Sequence, residues 1–155
     1  MEINDILTPE NVLVSVRATS KKQALQELAK HAAQATGLPE RQVFDVLLER
    51  ERLGTTGVGR GIAIPHGKLE ELDKLCGVFA TLDQPVDFDS VDDQPVDLLF
   101  LLLAPESAGA EHLKALARIS RLMRDAALCE RIRDASGPAE LYKMLTARTT
   151  SHAAA

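Results

Sequence analysis

Pro95-Val96-Asp97-Leu98-Leu99-Phe100-Leu101-Leu102-Leu103-Ala104-Pro105 is the stretch that decides the fold. It is almost wholly apolar, bounded by prolines, and far too short to cross a membrane. A strand with one wet face alternates apolar and polar residues. An unbroken apolar run of this length reads instead as a central strand covered on both faces.

Working outward toward the N-terminus, Asp92-Asp93-Gln94-Pro95 and Asp83-Gln84-Pro85 read as turns around a short piece near Val86–Phe88, and 74–82 reads as a strand. Ile62 and Ile64 suggest a short strand stopped by Pro65, and Val12–Val16 a first strand after an arm with at most a helical turn. Ser20-Lys21-Lys22-Gln23 has the form of a capping box, opening a helix with Ala24, Leu25, Leu28, Ala29 and Ala32 on one face and Gly37 at its end. A second helix begins at Leu38-Pro39-Glu40, with proline in its first turn, and carries Val43, Phe44 and Leu47 to about Leu53. Toward the C-terminus, helices are expected from Gly109 to about Arg124, near Ala126–Arg133, and from Ser136-Gly137-Pro138 onward with Leu141, Tyr142 and Leu145 inward. The expected fold is α/β, a single-domain mixed β-sheet flanked by helices on both faces. The domain is expected over 1–148, with 149–155 as a disordered tail.

Composition narrows the function. The chain has 155 residues, 45% of them hydrophobic but only 3% aromatic, so its core is aliphatic. A net charge of −5 and the absence of any Lys/Arg run argue against nucleic-acid binding. The N-terminus lacks the basic flank and apolar run of a signal peptide, and no segment suits membrane insertion. Cys76 and Cys129 form no CxxC pair and read as free thiols, so a cytoplasmic protein is expected.

The chemistry concentrates in Gly54-Thr55-Thr56-Gly57-Val58-Gly59-Arg60-Gly61-Ile62-Ala63-Ile64-Pro65-His66-Gly67-Lys68. His66 is expected at a strand end beside a pliable glycine loop, where another molecule can reach it. His112 shares a helix face with Ala115, Leu116, Ile119 and Met123, so it points inward from a first turn, where a neutral imidazole is favoured. Arg50 follows Val43 and Leu47 at helical spacing and ends the second helix just before the loop. It is either a cation matched to a helix C-terminus or a guanidinium aimed at the pocket of His66. Thr55 and Thr56 are candidate hydroxyl donors or ordinary turn residues, and Lys68 can add positive potential. His31 and His152 read as packing or incidental residues. The glycines follow a helix and lack the lysine ending of a nucleotide-binding loop. No metal-ligand spacing joins the histidines, and no serine lies in a Gly-x-Ser-x-Gly elbow.

Arg50-Glu51-Arg52-Leu53-Gly54-Thr55-Thr56-Gly57-Val58-Gly59, then Ile62-Ala63-Ile64-Pro65-His66-Gly67, closely resembles the IIA domains of the mannitol/fructose class of the phosphoenolpyruvate:sugar phosphotransferase system. Glu111-His112-Leu113-x-x-Leu116 resembles that family's second histidine motif, and the likeness covers nearly the whole chain. Within the class, the string from Gly54 to Lys68 is most similar to the nitrogen-regulatory type. The resemblance implies that His66 takes a phosphoryl group on Nε2 from an HPr-like carrier. It implies that Arg50 and His112 stabilise that group; from the residues themselves, Thr55, Thr56 and Gly57 are expected to form a phosphate-binding loop, and no cofactor is expected. Partners implied are sensor kinases or potassium-transport components. The alternative is a sugar-specific component passing phosphate to a IIB domain. A neutral imidazole is a competent nucleophile, and transfer then rests on positioning and charge stabilisation. Leu53, Val58 and Leu113 are expected to form an apolar docking rim.

Overall fold

The computed structural model describes residues 1–147. Its six-stranded sheet has the order β1-β5-β6-β3-β2, with β4 also paired to β6. The strands are β1 (Val12–Val16), β2 (Gly57–Gly59), β3 (Ile62–Ala63), β4 (His66–Leu69), β5 (Cys76–Val86) and β6 (Val96–Pro105). The helices are α1 (Lys21–Thr36), α2 (Glu40–Leu53), α3 (Ala110–Met123), α4 (Ala126–Arg133) and α5 (Pro138–Thr146). The sheet is mixed: β1 lies parallel to β5, β5 antiparallel to β6, and β3 and β4 parallel to β6.

β6 is the central strand its sequence implied. Leu99, Leu101 and Leu103 pack into one apolar layer with Ala24, Leu25 and Leu28 of α1 and Val43 and Leu47 of α2. Leu98, Phe100 and Leu102 pack into the opposite layer with Ala115 and Ile119 of α3, Ile132 of α4 and Leu141 of α5. Alternation along the strand thus sends leucines to both faces, each covered by helices. The N-terminal arm is buried too, through Ile3, Ile6 and Leu7, and the Ile6 carbonyl accepts from the Gly77 N–H at 2.7 Å.

Several boundaries differ from expectation. Pro85 does not mark a turn: β5 runs through it to Val86, and the register shifts between Thr81 and Val86, where an imino acid that cannot donate is tolerated. Pro39 is the N-cap of α2 rather than a first-turn residue. Half of the α1 capping box forms, with Ser20 Oγ accepting from Gln23 N at 3.2 Å, while Gln23 Oε1 accepts from Thr19 N at 2.8 Å instead of from Ser20. The glycine loop contains β2, which turns back on β3 through Arg60 and Gly61, with φ of 58° and 81°. Positive φ at both central residues is what a tight two-residue hairpin needs. Among the described residues, no helix is long and apolar enough to cross a membrane. The expected tail, 149–155, lies outside the described residues.

Candidate functional site

His66 does not end a strand; it begins one. Pro65 lacks an N–H and separates β3 from β4, both of which run parallel to β6, yet its carbonyl still accepts from Leu102 N at 3.0 Å. β4 pairs with β6 alone, so His66 sits where helices from both faces of the sheet can reach it.

From one face comes α2. A Cβ on Gly67 would collide with the Val46 side chain, so glycine beside His66 is what lets α2 lie this close to β4. The last turn of α2 then carries Arg50 over the imidazole. Arg50 Nε donates to His66 Nε2 at 3.2 Å, and its Nη1 donates to the Gly54 carbonyl at 2.8 Å. The second contact locks the guanidinium to the end of its own helix. From the other face comes α3, whose first turn brings His112 to a ring-centroid distance of 5.9 Å from His66, with the planes tilted by 45°.

The protonation state of His66 follows from its partners. Nδ1 lies 2.9 Å from the Ile64 carbonyl, which can only accept, so Nδ1 carries the proton. In the neutral ring, Nε2 then holds a lone pair facing Arg50. Burial pulls the His66 pKa below 6.5; the Ile64 carbonyl opposes this, Arg50 reinforces it and Glu51 opposes it. His112 is also lowered, first by burial and then by the neighbouring His66 and Lys68. It is only 7% exposed, and its Nδ1 has no partner among the described residues. A buried polar nitrogen left unpaired is uncommon outside functional sites.

These three side chains line an open cavity of about 660 Å³, with Asp45, Val46, Glu49, Leu53, Gly67 and Lys68. Of the three residues expected at an apolar rim, Leu53 is 79% exposed and lines the cavity, whereas Val58 and Leu113, 49% and 66% exposed, are not among its lining residues. Val91, not singled out in the sequence, is also exposed.

The loop residues depart from expectation. None of Thr55, Thr56 and Gly57 lines the cavity. The Thr55 hydroxyl donates to the Phe88 carbonyl and accepts from Gly57 N at 3.0 Å. Thr56 donates its hydroxyl to Glu51 Oε1 at 2.6 Å and its N–H to Glu51 Oε2 at 2.9 Å. A Cβ at Gly57 would strike Ser90. The hydroxyls of Thr55 and Thr56 and the N–H groups of Thr56 and Gly57 are thus engaged within the loop.

Glu51 is the organising residue that sequence reasoning passed over. It is buried in the last turn of α2, accepts both Thr56 donors, and pairs with Lys21 Nζ at 3.2 Å. A carboxylate is out of place at a helix C-terminus, which favours cations, and that was the available signal. Among the described residues, no cluster of His, Cys, Asp or Glu could hold a metal ion.

A nucleophilic imidazole with one nitrogen fixed, an arginine at the other and a second neutral histidine alongside, all in an open cleft, suits a protein that carries a phosphoryl group. Residues 5–148 match the family described as phosphoenolpyruvate-dependent sugar phosphotransferase system, EIIA 2, and the chain belongs to that family. Within it, the chain is 59% identical over 145 residues to a nitrogen regulatory protein of Bradyrhizobium diazoefficiens, covering 94% of this chain and 95% of that one. It is 43% identical to a nitrogen regulatory protein of Escherichia coli (strain K12), covering 94% and 90%. The crystal structure of nitrogen regulatory protein IIA-Ntr from Neisseria meningitidis superposes with a TM-score of 0.88 at 34% identity, covering 93% of this chain and 99% of that one.

Proposed function

We propose that this chain is a phosphocarrier of the nitrogen-regulatory branch, with His66 as the phosphorylated residue and its phosphorylation state controlling which partners bind. The observation that carries the reading is the His66 tautomer: Nδ1–H is held by Ile64 and the Nε2 lone pair faces Arg50 at an open cleft.

In this reading, Nε2 attacks the phosphorus of a phosphohistidine on an HPr-like donor. The donor P–N bond breaks, its imidazole leaves with the electron pair, and the new N–P bond forms on His66. The Nδ1 proton stays in place, so the product ring is cationic and is stabilised by the Ile64 carbonyl. Arg50 exchanges its bond to Nε2 for bonds to phosphoryl oxygens, which its fork of donors fits. His112, neutral, donates to the same group without adding charge. No cofactor enters. The exposed Leu53 and Leu113 offer an apolar docking surface for donor and acceptor. Regulatory targets are sensor kinases or potassium-transport components.

The test is intact mass after incubation with phosphoenolpyruvate, the first enzyme and an HPr-like carrier. We expect one acid-labile phosphoryl group on the wild type and none on His66→Ala. No added mass, with donors proven on a control carrier, overturns the reading. Efficient onward transfer to a fructose- or mannitol-type IIB domain would move the chain to the sugar branch.

A further inference from the structure

The geometry points to a second ligand site, remote in the fold from His66. We propose that the hollow between the C-terminal end of α3, the start of α4 and the last turn of α5 binds a phosphorylated small molecule of nucleotide size.

The hollow has a volume of about 710 Å³, within the range of small-molecule sites. Four arginines line it in a chain whose net charge is −5. Arg118 is neutralised by Glu2 at 2.7 Å. The side chains of Arg121, Arg124 and Arg131 form no ion pair among the described residues. The remaining carboxylate, Asp125, caps α4 by accepting from Leu128 N at 3.1 Å. Three arginines without an ion-pair partner among the described residues therefore line one cavity. Arginines gathered on one hollow raise the local positive potential, and the arginine fork matches phosphate oxygens in pairs. Beneath them, Leu128 and Met144 supply an apolar floor that a flat base can cover.

The end of α3 is already fixed. Arg60, from the hairpin between β2 and β3, donates to the Arg124 carbonyl at 3.1 Å, and Arg133 donates to the Arg60 carbonyl at 3.0 Å. His112 stands in the first turn of α3 and Arg124 just past its last, roughly 18 Å apart at the helical rise. The two cavities are thus separate, and the proposal does not depend on what His66 does.

The test is calorimetry on the full chain with ADP, inorganic pyrophosphate and adenosine, followed by amide chemical-shift mapping with ADP. We expect ADP to bind at one site, pyrophosphate more weakly and adenosine not at all, with affinity falling as salt rises. Arg121→Gln/Arg131→Gln should weaken ADP by about tenfold or more. Both residues are exposed, so the thermal melt should not move. Shifts should centre on residues 121–131 and 144–147. Absence of ADP binding, binding untouched by the double variant, equal affinity for pyrophosphate and ADP, or shifts centred on residues 50 and 66–68 would each overturn the proposal.

Discussion

Arg50 holds the Nε2 lone pair of His66 and, through Nη1, the Gly54 carbonyl. Replacing it by alanine leaves the imidazole in place but removes the donors that, in the proposed reading, meet the arriving phosphoryl group. We expect the transfer rate to fall by about 10²-fold, as for loss of one transition-state donor. Stability should drop only by about 1 kcal/mol for the lost backbone bond, a Tm shift of about 2–4 °C. Rapid-quench phosphorylation and a thermal melt of the same variant separate the two effects. Protonation gives an independent handle. Burial lowers the His66 pKa, so the ring stays a nucleophile at pH 6.5 and loses its lone pair only further into the acid range. Ring NMR titration should place its midpoint below 6.5, and the acceptance rate should follow the neutral fraction.

At the scale of elements, the contact between α2 and β4 is what assembles the site. Gly67→Ala inserts a methyl where Val46 already stands. Overpacking of this kind costs about 1–3 kcal/mol, and relief requires α2 to lift, carrying Arg50 away from His66. The variant should fold, melt earlier and accept phosphate more slowly. A wild-type acceptance rate would show that the close approach is dispensable. Helix starts and stops were legible because Ser20, Gly37 and Pro138 act through local backbone geometry. β6 was legible because its apolar run has one reading in a domain this size. Local signals failed where partners far along the chain decide. Pro85 is absorbed by a register shift against β6, and Glu51 is buried because Lys21 and Thr56 meet it. The site histidines and Arg50 could be picked from spacing and resemblance. The true engagements of Thr55 and Thr56 could not, since Phe88 and a buried carboxylate are invisible to a linear motif.

For the whole molecule, two histidines with lowered pKa values link the cleft to stability. Their unfolded forms take up protons near pH 6.5 while the folded forms resist until lower pH. Their contribution is present above pH 6.5 and is lost as pH falls from there through the folded values. The Tm of the wild type should therefore drop between pH 7.5 and 5.5 by more than that of a His66→Gln/His112→Gln variant. Equal slopes would mean that burial does not set these protonation states.

The most direct test of the central claim is nitrogen NMR of the phosphorylated protein, labelled in its histidine rings. We predict phosphorus coupling at Nε2 of His66, with Nδ1 still protonated against the Ile64 carbonyl. Coupling at Nδ1, or on any other histidine, would contradict the account.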